Sequence, residues 1–156
     1  MNYEATHRVL DALEREGVAY AVIGAVALNL HGLPRATVDL DLFVAPEEEN
    51  IARLRAALKS VFDDPHIDEI TAADLMGEYP AIQYVPPEGS FYIDILTRLG
   101  DAYSFDDLET ERVPFGDLEV TAVTPRMLHE MKGSTVRLQD RADAARIRER
   151  FGLEEG

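Results

Sequence analysis

The sequence predicts an α+β fold, a mixed β-sheet with helices packed against it, on three observations. Short apolar, β-prone runs at 18–23, 38–44 and 91–97 alternate with longer stretches of helical spacing. Two pairs of runs are joined by tight-turn sequences, Pro86-Pro87-Glu88-Gly89-Ser90 and Gly116-Asp117, which mark antiparallel hairpins rather than crossovers. The 156 residues contain no repeat, low-complexity tract or linker, so 1–156 reads as a single domain with room for a real core.

Taken in order, residues 3–16 place Val9, Leu10 and Leu13 at helical spacing, and Gly17 supplies a stop. Residues 18–23 form a β-prone run that ends at Gly24, and 25–31 read as a short helix closed by Gly32 and Pro34. A polar loop, Arg35-Ala36-Thr37, leads to the second strand at 38–44. Pro46 opens a helix to about residue 62, with Glu47, Glu48 and Glu49 in its first turn, where the helix dipole favours acids. Its buried face is Ile51, Leu54, Leu58 and Val61. Residues 63–78 give little signal beyond a short helix at 71–76. Runs at 81–85 and 91–97 form one hairpin, 112–115 and 118–123 another, with a helical turn at 104–109 between them. Pro125 begins a helix to about Lys132, and 139–151 forms a last, charged helix.

Composition narrows the class. Apolar residues are 46% and charged residues 29%, the balance of a soluble globular domain. No run approaches the roughly 18 apolar residues of a membrane span. The opening, MNYEATHRVLDALEREG, is acidic and helical rather than a secretory leader. With no cysteine, disulfides and thiolate metal sites are excluded, and a cytoplasmic location is the default expectation. Thirty acids against 15 Lys and Arg give a net charge of −15. That argues against a broad phosphate-gripping surface and suits a cationic substrate, a basic protein partner or metal ions. Plain solubility is the competing explanation.

The chemistry centres on "VDLDLFV". Residues i and i+2 of a strand share a face, so Asp39 and Asp41 project together while Val38, Leu40 and Leu42 point the other way. Two neighbouring carboxylates raise one another's pKa unless a cation lies between them. Hard oxygen donors with no His or Cys nearby suit Mg²⁺ or Mn²⁺. A third acid, Asp94, stands alone in the apolar run FYIDIL. If its strand lies beside 38–44, the three can hold two metal ions about 4 Å apart, one activating a hydroxyl and one holding phosphates. A solvent-facing edge strand is the competing reading of the Asp-x-Asp pair. Gly24 adds a turn into a helix start, where free backbone N–H groups can receive phosphate oxygens. His7, His31, His66 and His129 are scattered and read as surface or capping residues.

Gly24-Ala25, Asp39-Leu40-Asp41 and Asp94 together resemble the nucleotidyltransferase superfamily related to polymerase beta. "GLPRATVDLDLFV" is similar to the form in small bacterial members, and "VTAVTPRMLHEMKGSTVRLQDRADAARI" resembles the tail of AbiEii-type, toxin-like nucleotidyltransferases. The resemblance covers about 18–150, with a core at about 18–100 and a C-terminal hairpin and helices at about 101–156. It implies a nucleotidyltransferase fold and transfer of NMP from an NTP to a hydroxyl or phosphate acceptor. Asp39 and Asp41 would hold both metals, and Asp94 would serve as ligand or base. Gly24, with the N–H groups that follow it, would hold the β- and γ-phosphates. Arg35 and Lys132 are candidates for phosphate charge, and Arg137, Asp140 and Asp143 for the nucleotide side of the cleft. Surface or structural ion pairs compete for these last five. Ala25 departs from the family's usual Gly or Ser and removes a hydroxyl that could bind phosphate.

Three functions follow from these residues. The leading one is an Mg²⁺-dependent nucleotidyltransferase, the toxin-like half of a toxin–antitoxin or phage-defence pair, with a tRNA, small-molecule or protein acceptor. The acidic balance suits an aminoglycoside-like cationic acceptor, although the opening common in antibiotic-modifying relatives is absent. A tRNA sits less easily with −15, and the basic residues of the last helix (Arg137, Arg141, Arg146, Arg148, Arg150) are interrupted by Asp140, Asp143 and Glu149. The alternative from another class is a degenerate nucleotidyltransferase fold that binds a protein partner, which Ala25 favours and the three aspartates oppose.

Overall fold

A computed structural model describes residues 3–33, 39–76, 81–87, 91–99 and 103–133. Helix α1 (Tyr3–Arg15) leads to strand β1 (Tyr20–Ile23), which passes directly into helix α2 (Gly24–Leu30). Strand β2 (Asp39–Val44) and helix α3 (Glu48–Val61) follow, then a 3₁₀ turn (Pro65–Glu69) and helix α4 (Ala72–Leu75). Strands β3 (Ala81–Tyr84) and β4 (Tyr92–Leu96) come next, then a small ladder of β5 (Arg98–Leu99) with β6 (Tyr103–Ser104). Strands β7 (Thr110–Phe115) and β8 (Leu118–Val123) lead into helix α5 (Pro125–Gly133).

The described strands build a six-stranded mixed sheet in the order β3-β4-β2-β1-β8-β7. Both hairpins are antiparallel, as their turn sequences require: β3 with β4 and β7 with β8. Strand β1 is antiparallel to β2, whereas β2/β4 and β1/β8 are parallel. Between β2 and β4 the chain passes through α3, the 3₁₀ turn, α4 and β3, the length of connection that a parallel pair needs.

Alternation along the central strands decides their faces. Val22, Leu40, Leu42, Ile93 and Ile95 are fully buried in one row set, each opposite another apolar residue. They share a core with Val9, Leu10 and Leu13 of α1 and Ile51, Leu54 and Leu58 of α3. Each such side chain contributes about 1.5–3 kcal/mol of transfer free energy. Helix α3 is tied to the strand ends by the buried Asn50, whose Oδ1 accepts from the Ala19 N–H at 2.7 Å. Its Nδ2 donates to the carbonyls of Ala19 (3.1 Å) and Ala45 (2.8 Å), so the amide is satisfied at both ends.

Several boundaries differ from the sequence reading for local reasons. Helix α3 begins at Glu48 rather than Pro46, with Glu47 as its N-cap residue, so Glu48 and Glu49 alone remain in the first turn. The weak region after α3 contains the 3₁₀ turn, capped where Asp64 accepts from the His66 N–H at 3.0 Å, and α4, capped by Thr71. The predicted last helix lies outside the described residues.

Candidate active site

The register of three strand pairs assembles the site. Ile23 of β1 faces Asp41 of β2, Asp41 faces Asp94 of β4, and Asp94 faces Gln83 of β3. Cross-strand partners project to the same side of a sheet, so Ile23, Asp41, Asp94 and Gln83 form one row. Asp39 lies two residues from Asp41 on the same face, opposite Tyr92 in the next row. All three aspartates are half-buried, while their neighbours Leu40, Leu42, Ile93 and Ile95 point into the core. The expectation that the Asp94 strand lies beside the Asp-x-Asp strand is met, in register.

Gly24 closes the row from the helix side. It has φ +67°, a left-handed conformation that side-chain-bearing residues rarely adopt. A Cβ added there would stand 2.2 Å from Asp41 Oδ2 and 3.1 Å from its Cγ. The chain can therefore leave β1 and start α2 against the Asp41 carboxylate only as glycine. Ala25 follows, half-buried, and offers its backbone without a hydroxyl. At its other end α2 is held by His31, whose Nε2–H donates to the Val123 carbonyl at 2.7 Å.

Electrostatics set this face apart. Burial, and then the charge of Asp94, hold the Asp39 carboxyl above its ordinary range. Asp94 accepts a hydrogen bond at Oδ1 from Gln83 Nε2 at 3.2 Å. The donor set is all hard oxygen, which fits Mg²⁺ or Mn²⁺. Among the described residues, however, no group of three or more His, Cys, Asp or Glu side chains is gathered tightly enough to hold a metal ion. A dication at Asp39, Asp41 and Asp94 would take further oxygens from a bound molecule, as Mg²⁺ commonly does from substrate phosphates. A groove of about 450 Å³ between α3 and α4, lined by Glu48, Arg55, Asp68 and Thr71, contains none of these carboxylates.

Of the residues singled out in the sequence, Gly24, Ala25, Asp39, Asp41 and Asp94 come together at the C-terminal end of β1 and across β2 and β4. Lys132 belongs to α5, which packs on α2. Arg35, Arg137, Asp140 and Asp143 lie outside the described residues. Gln83 and Tyr92 were not visible as site residues from the sequence. The signal that finds Gln83 is its polarity in the run AIQY, combined with hairpin register to Asp94.

The mixed sheet with its carboxylate face is the nucleotidyltransferase fold. A candidate nucleotidyltransferase from Thermotoga maritima superposes with TM-score 0.57 at 16% identity, over 96% of this chain and 91% of that one. ANT(2″)-Ia, in complex with adenylyl-2″-tobramycin, gives TM-score 0.59 at 12% identity, over 96% and 89%. An antigenic nucleotidyltransferase-like protein of Paracoccidioides brasiliensis gives 0.55 at 18%, over 92% and 74%. At these identities the likeness concerns the fold. Within that class the chain belongs to the AbiEii family, the nucleotidyl transferase toxins of type IV toxin–antitoxin systems, whose model matches residues 8–146. No curated protein matches the sequence. Family and fold make the chain a nucleotidyltransferase of the polymerase-beta-like superfamily. Among the described residues, no helix is long and apolar enough to cross a membrane.

Proposed function

We propose that the chain is an active enzyme that transfers NMP from an NTP to a hydroxyl or phosphate acceptor, dependent on Mg²⁺ or Mn²⁺. The observation that carries this is the in-register pairing of Asp41 with Asp94, with Asp39 on the same face and Gly24 seated against Asp41. The dication, when bound, neutralises charge that develops on the transferring phosphoryl group. Asp39 and Asp41 hold it, and Asp94 completes the set or takes the proton from the acceptor oxygen. That oxygen bonds to the α-phosphorus while the bond to the bridging oxygen breaks and pyrophosphate leaves. Gly24 and Ala25 offer backbone N–H groups to the outer phosphates, and Arg35, Lys132 and Arg137 supply positive charge.

The acceptor classes are a tRNA, a small molecule or a protein, the enzyme is cytoplasmic, and the toxin family supports an antitoxin as its counterpart. A net charge of −15 favours a cationic small acceptor over a polyanion. The second reading, a nucleotidyltransferase fold kept as a binding surface, rests on Ala25, which lacks the phosphate-binding hydroxyl.

The test is thermal stabilisation by each of the four NTPs with Mg²⁺ or Mn²⁺, wild type beside Asp41→Asn. We expect one or more nucleotides to stabilise the wild type only when metal is present, and the variant not at all. Transfer of labelled NMP should fall on the order of a thousandfold, the scale of losing several kcal/mol of charge stabilisation. Without ligand, Asp41→Asn and Asp39→Asn should melt level with or above wild type, because like-charge repulsion is relieved. An absence of stabilisation by any nucleotide would favour the binding-surface reading.

A further inference from the structure

We propose that Gln83 is a positioning residue for Asp94, its amide fixing the carboxylate in the orientation that the transfer site uses while adding no charge. The inference rests on the transfer reading above. Its basis is the hydrogen bond from Gln83 Nε2 to Asp94 Oδ1 at 3.2 Å, between residues that are direct partners across the β3–β4 ladder. An ionised carboxylate only accepts, so the amide must present its NH₂ end. One donor at Oδ1 leaves Oδ2 for a proton or a ligand. The terminal torsion of aspartate is broad, so a side chain across the ladder is what selects one orientation of the carboxylate.

The platform for that amide is firm. Tyr84, the next residue along β3, is buried and donates its hydroxyl to Asp64 Oδ2 at 2.8 Å. Asp64 Oδ1 in turn accepts from the His66 N–H, so β3 is pinned to the capped 3₁₀ turn one residue from Gln83. The row is thus buttressed from both flanks, with Gly24 against Asp41 and Gln83 against Asp94. Neutrality is the point of an amide here. A lysine could donate to Asp94 equally well, but its fixed charge would lower the negative potential of the three-carboxylate face and compete with a dication.

The experiment has two arms, both on the full chain. In the first, the Gln83 side-chain amide resonances are compared between wild type and Asp94→Ala; they should shift when the acceptor is removed. In the second, Mn²⁺ half-saturation is read from thermal stabilisation in the presence of whichever NTP stabilises wild type. Gln83→Met keeps length and removes the donor, and should raise that concentration about fivefold, the scale of one solvent-exposed hydrogen bond. Half-saturation by NTP at saturating Mn²⁺, and the melting point without ligand, should stay at the wild-type values, which a merely structural role would move. Gln83→Lys should cost more, over about tenfold in Mn²⁺, as a charge opposing the metal. An amide resonance indifferent to Asp94→Ala, or Gln83→Met that binds Mn²⁺ as wild type does, overturns the proposal and leaves the transfer reading standing. Wild type that gains nothing from Mn²⁺ and any NTP overturns both.

Discussion

The two ends of β1 meet carboxylates in opposite ways. At its start, Tyr20 donates its hydroxyl to Glu14 at 2.5 Å, and Arg112 grips the same carboxylate with Nη1 at 3.0 Å and Nη2 at 2.8 Å. Arg112 also donates to Thr121 Oγ1 and the Glu119 carbonyl, and the Thr121 N–H donates to Tyr20. The cluster joins α1, β1, β7 and β8, and the Arg112 hydrogen bond holds Glu14 below its usual range. At the end of β1 the chain turns at Gly24 onto Asp41, beside Asp94 and Asp39. There burial and a neighbouring acid push Asp39 up, and the donor on Asp94 is a neutral amide. The first arrangement stabilises the fold by itself. The second keeps negative charge concentrated at a cost to the fold, which makes sense where a cationic ligand belongs.

Substitutions can separate the two ends. The largest effect is expected from Gly24→Ala, which meets both a left-handed φ and a 2.2 Å approach to Asp41 Oδ2. It should lower unfolding stability by about 1–2 kcal/mol from backbone strain and abolish stabilisation by metal and NTP. Denaturant midpoints and the ligand series measure the two parts. Unchanged ligand response would mean that the Gly24–Asp41 contact is dispensable to the site. Arg112→Met should cost about 1 kcal/mol, since the pair is part-exposed and solvent screens it, and should leave the ligand response intact. A lost ligand response would erase the distinction between the ends.

The smallest expected effect is in the pH dependence of stability. Glu14 is depressed in the folded state, so its contribution is present above the usual value of 4.5 and lost as pH falls through the lower folded value. Asp39 is raised, so the folded state holds its proton more tightly, and stability falls as pH climbs from the usual 3.8 through the raised value. Glu14→Gln should therefore flatten the acid-side loss of stability. A profile as steep as wild type would show that Glu14 contributes nothing there.

Much of this was legible in the sequence because strand period and turn chemistry are local. The Asp-x-Asp pair announced a shared face from spacing alone, and Gly116-Asp117 announced the β7–β8 hairpin. The adjacency of Asp94 to Asp41 needed a parallel pairing, which no local signal encodes; it was a conditional expectation that the register fulfilled. Gln83 was illegible because its meaning comes from the strand opposite. The 3₁₀ turn was missed because its N-cap, Asp64, follows another acid, Asp63, and marks a cap only once the backbone is known. The Glu14–Arg112 pair joins residues at opposite ends of the described chain, beyond any periodicity.

The β2–β4 pairing also has a kinetic side. Between these two strands the chain must first lay down α3, the 3₁₀ turn, α4 and β3, so Asp41 and Asp94 meet only after a large loop has closed. Contacts of such sequence separation carry a larger loop-closure cost and slow folding. A nascent or partly folded chain therefore carries all three aspartates without yet having the site, and the carboxylate face matures only with the completed sheet.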